Sequence, residues 1–385
     1  MKKKKIVFLT GTRADFGKLK SLIDAVEGLP FFEIHIFATG MHMLEKYGAT
    51  VHEIFKEGYE HVYMYNNLAF TTSMDVCLAN TIHGFSNYVK ELKPDLIIVH
   101  GDRAEALAGA IVGSFNNILV GHVEGGELSG TIDGLIRHSI TKLSHIHFVT
   151  NGEAEKRLLQ LGEALESIFK IGSPEVDLML SDKLPLLSEV KKHYEIDFDN
   201  YAICIYHPVT TEIEALEGNV GELVDAVIES KLNYIVVAPN SDLGSDRIFK
   251  AYERFKQKSN IRMIPSIRFE YFLRLLKSAK FIIGNSSSGV REASVYGIPA
   301  INVGSRQSKR SRVKSKFDVV ENKAEILQLI KEINGNNLVI EPFSHFGDGK
   351  SSERFIEVLQ NKEMWKLPLQ KTFNDYNREE TVIPF

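Results

Sequence analysis

The stretch LIIVHGDRAEALAGAIVGSFNNILVGHVEGGE, from Leu96 to Glu127, holds one complete β-α-β unit. Leu96–His100 and Ile118–His122 are continuous apolar runs, the pattern of strands buried on both faces. Ala104–Phe115 between them has helical spacing. A crossover of that length predicts two parallel strands joined right-handedly. The polar residues that follow each apolar run then fall at the carboxyl ends of the strands, where open α/β sheets bind ligands.

The same alternation runs along the whole chain. Further strands are predicted at Lys5–Thr10, Ile34–Thr39, His145–Thr150, Tyr201–Tyr206, Tyr234–Ala238, Phe281–Asn285 and Ala300–Val303. Helices are predicted at Lys18–Glu27, Ser73–Leu92, Thr131–Leu143, Glu153–Leu161, Leu216–Ser230, Asp246–Gln257, Glu270–Lys277, Val290–Tyr296 and Glu353–Gln360. Gly172 and Pro174 interrupt the series, and a fresh one begins at Tyr201. The fold class expected is α/β, two Rossmann-like doubly wound parallel-sheet domains facing a cleft. Their expected limits are 1–172 and 173–365, with 366–385 as a polar tail.

The 385 residues suffice for two such cores. Hydrophobic residues make up 44% and charged residues 25%, which excludes wholesale disorder. Forty-six basic against 50 acidic residues give a net charge of −4, so nothing general favours nucleic acid or a membrane surface. An anionic ligand needs a local cationic cluster. Two cysteines, Cys77 and Cys204, make no disulfide framework and suit a reducing compartment. No apolar run approaches the ~20 residues of a membrane span. A cytoplasmic location is expected.

Five motifs carry candidate chemistry. Thr10–Gly17 offers Arg13, able to grip phosphate, and Asp15, which could equally cap the next helix. His100-Gly-Asp-Arg103 sets Asp102 beside Arg103; an N-cap explains that aspartate equally well. The Gly-rich loop from His122 to Asp133 carries Glu124, Glu127 and Asp133. Carboxylates that crowd one another raise each other's pKa, as general acid–base work requires. Arg137 lies four residues after Asp133 and could pair with it on one helix face. His207 follows the first strand of the second series. Gly284–Glu292 runs from a strand into a helix, so Ser286 and Ser287 can cradle a diphosphate. Glu292 is either a capping partner or an acceptor for ribose hydroxyls, and Arg306 follows the next strand. The sequence has no Walker lysine loop, no Gly-x-Gly-x-x-Gly after the first strand and no His/Cys cluster at metal spacing. Neither a cofactor nor a metal is expected.

In this order, these motifs resemble the hydrolysing UDP-N-acetylglucosamine 2-epimerases of bacterial sialic-acid biosynthesis. The likeness extends through Gly304-Ser-Arg-Gln307 to Ser351-Ser-Glu-Arg354, almost the whole chain. It implies a glycosyltransferase-B-like fold with UDP in the cleft. It also implies conversion of UDP-N-acetylglucosamine and water to N-acetylmannosamine and UDP through a 2-acetamidoglucal. The family's catalytic residues match Asp102, Glu124, Asp133 and His207. Its nucleotide and phosphate contacts match Arg13, Asp15, Arg103, Ser286, Ser287, Glu292 and Arg306. Glu124 is expected to abstract the C2 proton, with Asp102 and Asp133 handling water and reprotonation. The expected partner is a UDP-N-acetylhexosamine, and the expected assembly a homo-oligomer, dimer or tetramer. Where the family often has a second aspartate after Asp133, this chain has Gly134, so that carboxylate's role is not carried over. Two other readings stand beside this one. One is the same reaction on UDP-2,4-diacetamido-2,4,6-trideoxyhexose for legionaminic acid; the more distant one is a glycosyltransferase of the same fold.

Overall fold

A computed structural model describes residues 3–67, 73–129, 131–240, 242–307, 313–335, 338, 340–343 and 345–375. Gly130 and the last ten residues of the expected tail lie outside them. Two parallel sheets carry the fold. The first contains β1 (Lys4–Thr10), β2 (Phe32–Ala38), β3 (Val62–Met64), β4 (Leu96–His100), β5 (Leu119–Val123), β6 (Ile146–Val149) and β7 (Ile168–Lys170). The second contains β8 (Ala202–Ile205), β9 (Tyr234–Val237), β10 (Ile261–Ile264), β11 (Ile282–Gly284), β12 (Ala300–Val303) and β13 (Lys316–Val319). The strand orders are β3-β2-β1-β4-β5-β6-β7 and β10-β9-β8-β11-β12-β13, so both sheets reverse direction beside their first strand. Each reversal opens a crevice at the carboxyl edge.

Burial on both faces explains the continuous apolar runs. In β1, Ile6 and Phe8 enter one core while Val7 and Leu9 enter the other. In β8, Ala202 and Cys204 face one way, and Ile203 and Ile205 the other. No helix among the described residues is long and apolar enough to cross a membrane.

The chain does not stay in its second unit. Val176 and Met179, just past Gly172, pack with the second sheet, as does Phe346. From Ser351 onward the chain rejoins the first. Phe355, Leu359 and Met364 are buried in the first core, and the Phe355 ring lies 4.8 Å from that of Phe148. Truncating Phe355 to alanine would cost about 3–5 kcal/mol. The tail follows: Lys371 donates to the carbonyls of Thr141 and Lys142, each at 3.2 Å. We therefore propose a first domain of 1–172 together with 351–375, in place of a second unit running to 365 and a separate tail.

The two halves meet closely. The helix Arg13–Val26 of the first packs on the helix Phe269–Lys277 of the second. A Cβ on Gly17 would fall 2.3 Å from the Phe269 Cβ, so only glycine allows this approach.

Candidate active site

The residues singled out by the sequence separate into two groups. The first is a buried chain of charges that crosses between the sheets. It begins at Asp15, whose Oδ1 is 2.8 Å from His100 Nδ1 and whose Oδ2 accepts the Gly11 N–H at 3.1 Å. His100 Nε2 stands 3.2 Å from Glu124 Oε2. Arg291, from the second sheet's side, donates to Glu124 Oε2 at 2.8 Å and Oε1 at 2.5 Å, and to Glu175 at 2.9 Å. Ser173 donates to Glu124 Oε1 at 2.6 Å. Lys18 then bridges Glu175 and Glu292.

Electrostatics keeps this chain ionised. Burial alone would raise the Glu124 carboxyl, but Arg291 and His100 hold it well below the usual carboxylate range. Burial would lower His100, but Glu124 and Asp15 lift it to about 9. Glu292 is the exception. Burial and Glu175 push it up against Lys18 and Arg291, and its Oε2 has no hydrogen-bond partner among the described residues.

Two expectations change here. Asp15, placed among the nucleotide contacts, has both oxygens engaged within its own loop and beside His100, and its charge would repel phosphate. Glu124, expected to abstract a proton, has both oxygens taken by Arg291, Ser173 and His100. A carboxylate held so far down is a weak base. Its backbone is also constrained, at φ +64°, a left-handed conformation costly for glutamate. That turn aims its carbonyl at Arg137, whose Nη1 donates to it at 2.6 Å.

The second group lies at the mouth of the cleft. Arg137 pairs with Asp102, not with Asp133 four residues earlier. Ser129 donates to the same Asp102 oxygen at 2.5 Å and accepts from Arg137 Nε at 3.0 Å. Asp133 instead faces Arg306 of the other half, 3.3 Å away. Burial, with Asp102 and Asp242 nearby, raises Asp133 to about 6 against the pull of Arg306 and Arg103. Arg103 donates to Glu105 at 3.4 Å and feels Asp242, Asp133 and Asp102.

His207 is fixed from its own side. Its Nδ1 accepts the Asn240 N–H at 3.0 Å, and its backbone N–H donates to Asn285 Oδ1 at 2.7 Å. Burial, with Arg306 and Arg103, holds the ring well below its ordinary pKa. The neutral ring therefore carries its proton on Nε2. Ser286 caps the short turn Ser287–Gly289, and both serines remain half-buried after β11.

Arg13 joins neither group. It pairs with Glu53 and donates to Ser266 at 3.0 Å, at the rim of a cavity of about 220 Å³ lined also by Arg268 and Phe269. Glu127 turns to Thr150. Lys18, Glu175 and Asp242 escaped the sequence reading. The first two lie on helices just past the motifs that ended at Gly17 and Pro174, while Asp242 follows β9 and could have been found by inspecting that strand's end.

The second group pairs two unlike carboxylates with cations and serines at the carboxyl edges of both sheets. Known proteins carry the same arrangement of chain. The family described as UDP-N-acetylglucosamine 2-epimerase matches residues 24–360. This chain belongs to that family. It is 46% identical to the UDP-N-acetylglucosamine 2-epimerase of Neisseria meningitidis serogroup B, covering 97% of this chain and all of the relative. It is 34% identical to the UDP-N,N'-diacetylbacillosamine 2-epimerase (hydrolyzing) of Legionella pneumophila, covering 93% and 96%. The fold matches the solved UDP-GlcNAc 2-epimerase of Methanocaldococcus jannaschii in complex with UDP-GlcNAc and UDP. That TM-score is 0.78 at 24% identity, over 92% of this chain and 99% of the other. The expected two-domain, glycosyltransferase-B-like α/β architecture is thus the family's own.

Proposed function

We propose that this epimerase-family chain is of the hydrolysing type, converting UDP-N-acetylglucosamine and water to N-acetylmannosamine and UDP for sialic-acid synthesis. The observation that carries the reading is the unlike pair Asp102 and Asp133. Arg137 and Ser129 both engage Asp102, whereas burial and the neighbouring Asp102 raise Asp133 to about 6. Elimination followed by hydration needs two acid–base groups placed on different faces of the sugar.

The chemistry follows from the substrate. C2–H has no neighbouring carbonyl, so its proton leaves only as the C1–O bond breaks and the electron pair departs on the diphosphate. Asp133 takes the C2 proton. Arg103, Arg306, the Nε2–H of neutral His207 and the hydroxyls of Ser286 and Ser287 stabilise the developing diphosphate charge. The unpartnered Oε2 of Glu292 is available to ribose hydroxyls. Water then adds to C1 of the glucal with Asp102 taking its proton and passing it to C2 from the face opposite Asp133, while Asp133 gives its own proton to solvent. Glu124 holds Arg137 and Arg291 in place. No step requires a metal.

Running the reaction in D2O tests this. N-acetylmannosamine deuterated at C2, with free UDP, is the expected product. N-acetylglucosamine retaining its C2 hydrogen would mean simple hydrolysis, and UDP-N-acetylmannosamine would mean the non-hydrolysing reaction. Because the Legionella relative is named for a diacetamido sugar, UDP-N,N'-diacetylbacillosamine is run in parallel. Faster turnover of it would assign that substrate.

A further inference from the structure

Away from the cleft, on the opposite edge of the first sheet, Glu33, His35 and His61 bring three ligand atoms within 4.8 Å of one another. We propose that this triad is a binding site for a divalent transition-metal cation of the zinc class, pinning edge strand β3 to β2.

The geometry comes from the sheet. Glu33 and His35 are two apart in β2, so their side chains leave the same face. His61 directly precedes β3, and its carbonyl accepts the Ile36 N–H at 2.9 Å, which sets it beside His35. An i, i+2 pair and a neighbour on the adjacent strand bring three donors together on one face of the sheet. His35 Nε2 lies 2.7 Å from Glu33 Oε1, and the two imidazoles stack with centroids 4.6 Å apart. A cation replaces the shared proton of the first contact, and the rings turn about Cβ–Cγ to converge.

The surroundings suit a cation. Two imidazoles and one carboxylate are the borderline nitrogen and oxygen donors that zinc takes. The Tyr88 hydroxyl, 3.4 Å from His35 Nδ1, orients the ring from outside, as partners of metal-bound histidines do. Glu60 Oε1, 3.8 Å from His61 Nε2, or a water can complete the set. Lys5, 3.8 Å from Glu33 and 3.4 Å from the Leu92 carbonyl, is a competing cation at the triad. Linear spacing hides such a site, because the third donor comes from another strand.

The site lies at the amino ends of its strands, whereas the catalytic group lies at the carboxyl ends. A metal here therefore stabilises without taking part in turnover. The test uses tag-free full-length chain, stripped with EDTA and titrated with zinc chloride in a calorimeter. One saturable site per chain, weakened at least about tenfold in His61→Ala and in Glu33→Gln, is the expected result. Co²⁺ should give visible absorption bands of a low-coordinate site, absent in His61→Ala. His61 is partly exposed, so its removal should leave UDP-sugar turnover unchanged, which also verifies the fold. No saturable binding below about 100 μM, or binding as tight in His61→Ala as in the parent, would overturn the site.

Discussion

Arg291 grips Glu124 with both terminal nitrogens, at 2.8 and 2.5 Å, across the junction of the two domains and out of contact with solvent. The sequence cast Glu124 as the base that takes the C2 proton. A glutamate so held is an anchor. Glu124→Gln would leave Arg291 and His100 without their shared counter-charge. Breaking a buried pair in this way costs about 3–5 kcal/mol. A clear drop in melting temperature is expected, with UDP affinity and turnover falling together. If the variant melts like the parent yet forms no glucal, Glu124 is the reacting base after all.

His100 ties stability to pH. Its folded pKa, about 9, lies above its ordinary value, so its contribution is complete below about pH 6.5 and is lost as pH rises through 9. The shift is worth on the order of 3 kcal/mol. Denaturant midpoints measured from pH 6.5 to 9.5 should fall, and His100→Gln should flatten that slope. Equal slopes in both proteins would remove His100 from the account.

Asp133 should govern the acid limb of turnover. Its carboxyl keeps a proton up to about pH 6, so kcat/KM should fall about tenfold per pH unit below that point. Neighbours move the midpoint with a fixed sign. Arg306→Gln removes a cation that favours the ionised form, so the limb shifts to higher pH. Asp242→Asn removes a like charge, so it shifts lower. Limbs that stay at one pH in both variants would exclude Asp133 as the titrating group.

The diphosphate cradle is tested by binding alone. Replacing Ser286 or Ser287 by alanine should weaken UDP binding by about 1.5–3 kcal/mol for each contact to a charged oxygen. Calorimetry showing parental affinity in the double variant would place the diphosphate elsewhere.

What the sequence conveyed follows from burial. Every strand it missed, β3, β7, β10 and β13, lies at the edge of a sheet. Edge strands are short and half solvated, and runs such as Ile168-Phe-Lys170 or Lys316-Phe-Asp-Val319 carry polar residues that break the apolar pattern. The nine central runs were legible because both of their faces are covered. Site residues followed the same logic. Asp102, Glu124, His207 and Ser286 stand directly after strands and could be found there. Lys18 and Glu175 look like ordinary helix-surface charges. Lys18 reaches Glu175 and Glu292 only where the first domain docks on the second, and Glu175 meets Arg291 from a distant segment of its own domain, relationships that no local spacing encodes.

Gly134, the departure from the family pattern, has a structural consequence that can be measured. A Cβ there would stand 3.2 Å from the Ser129 carbonyl, tighter than ordinary contact. Ser129 must then move by a few tenths of an ångström, and its hydroxyl is what joins Asp102 to Arg137. Gly134→Ala introduces the Cβ alone, and Gly134→Asp adds a negative charge beside Asp133. Alanine also favours the helix by about 1 kcal/mol, so the chain itself should not be destabilised. The expected outcome is a loss of kcat of about tenfold in the alanine variant with UDP affinity retained, because a small misplacement of a reacting carboxylate is costly. The aspartate variant should lose as much, and its acid limb should move to higher pH as the added charge raises Asp133 further. If Gly134→Asp instead turns over as fast as the parent, the Ser129 loop accommodates the side chain. The glycine then has no bearing on how Asp102 is held.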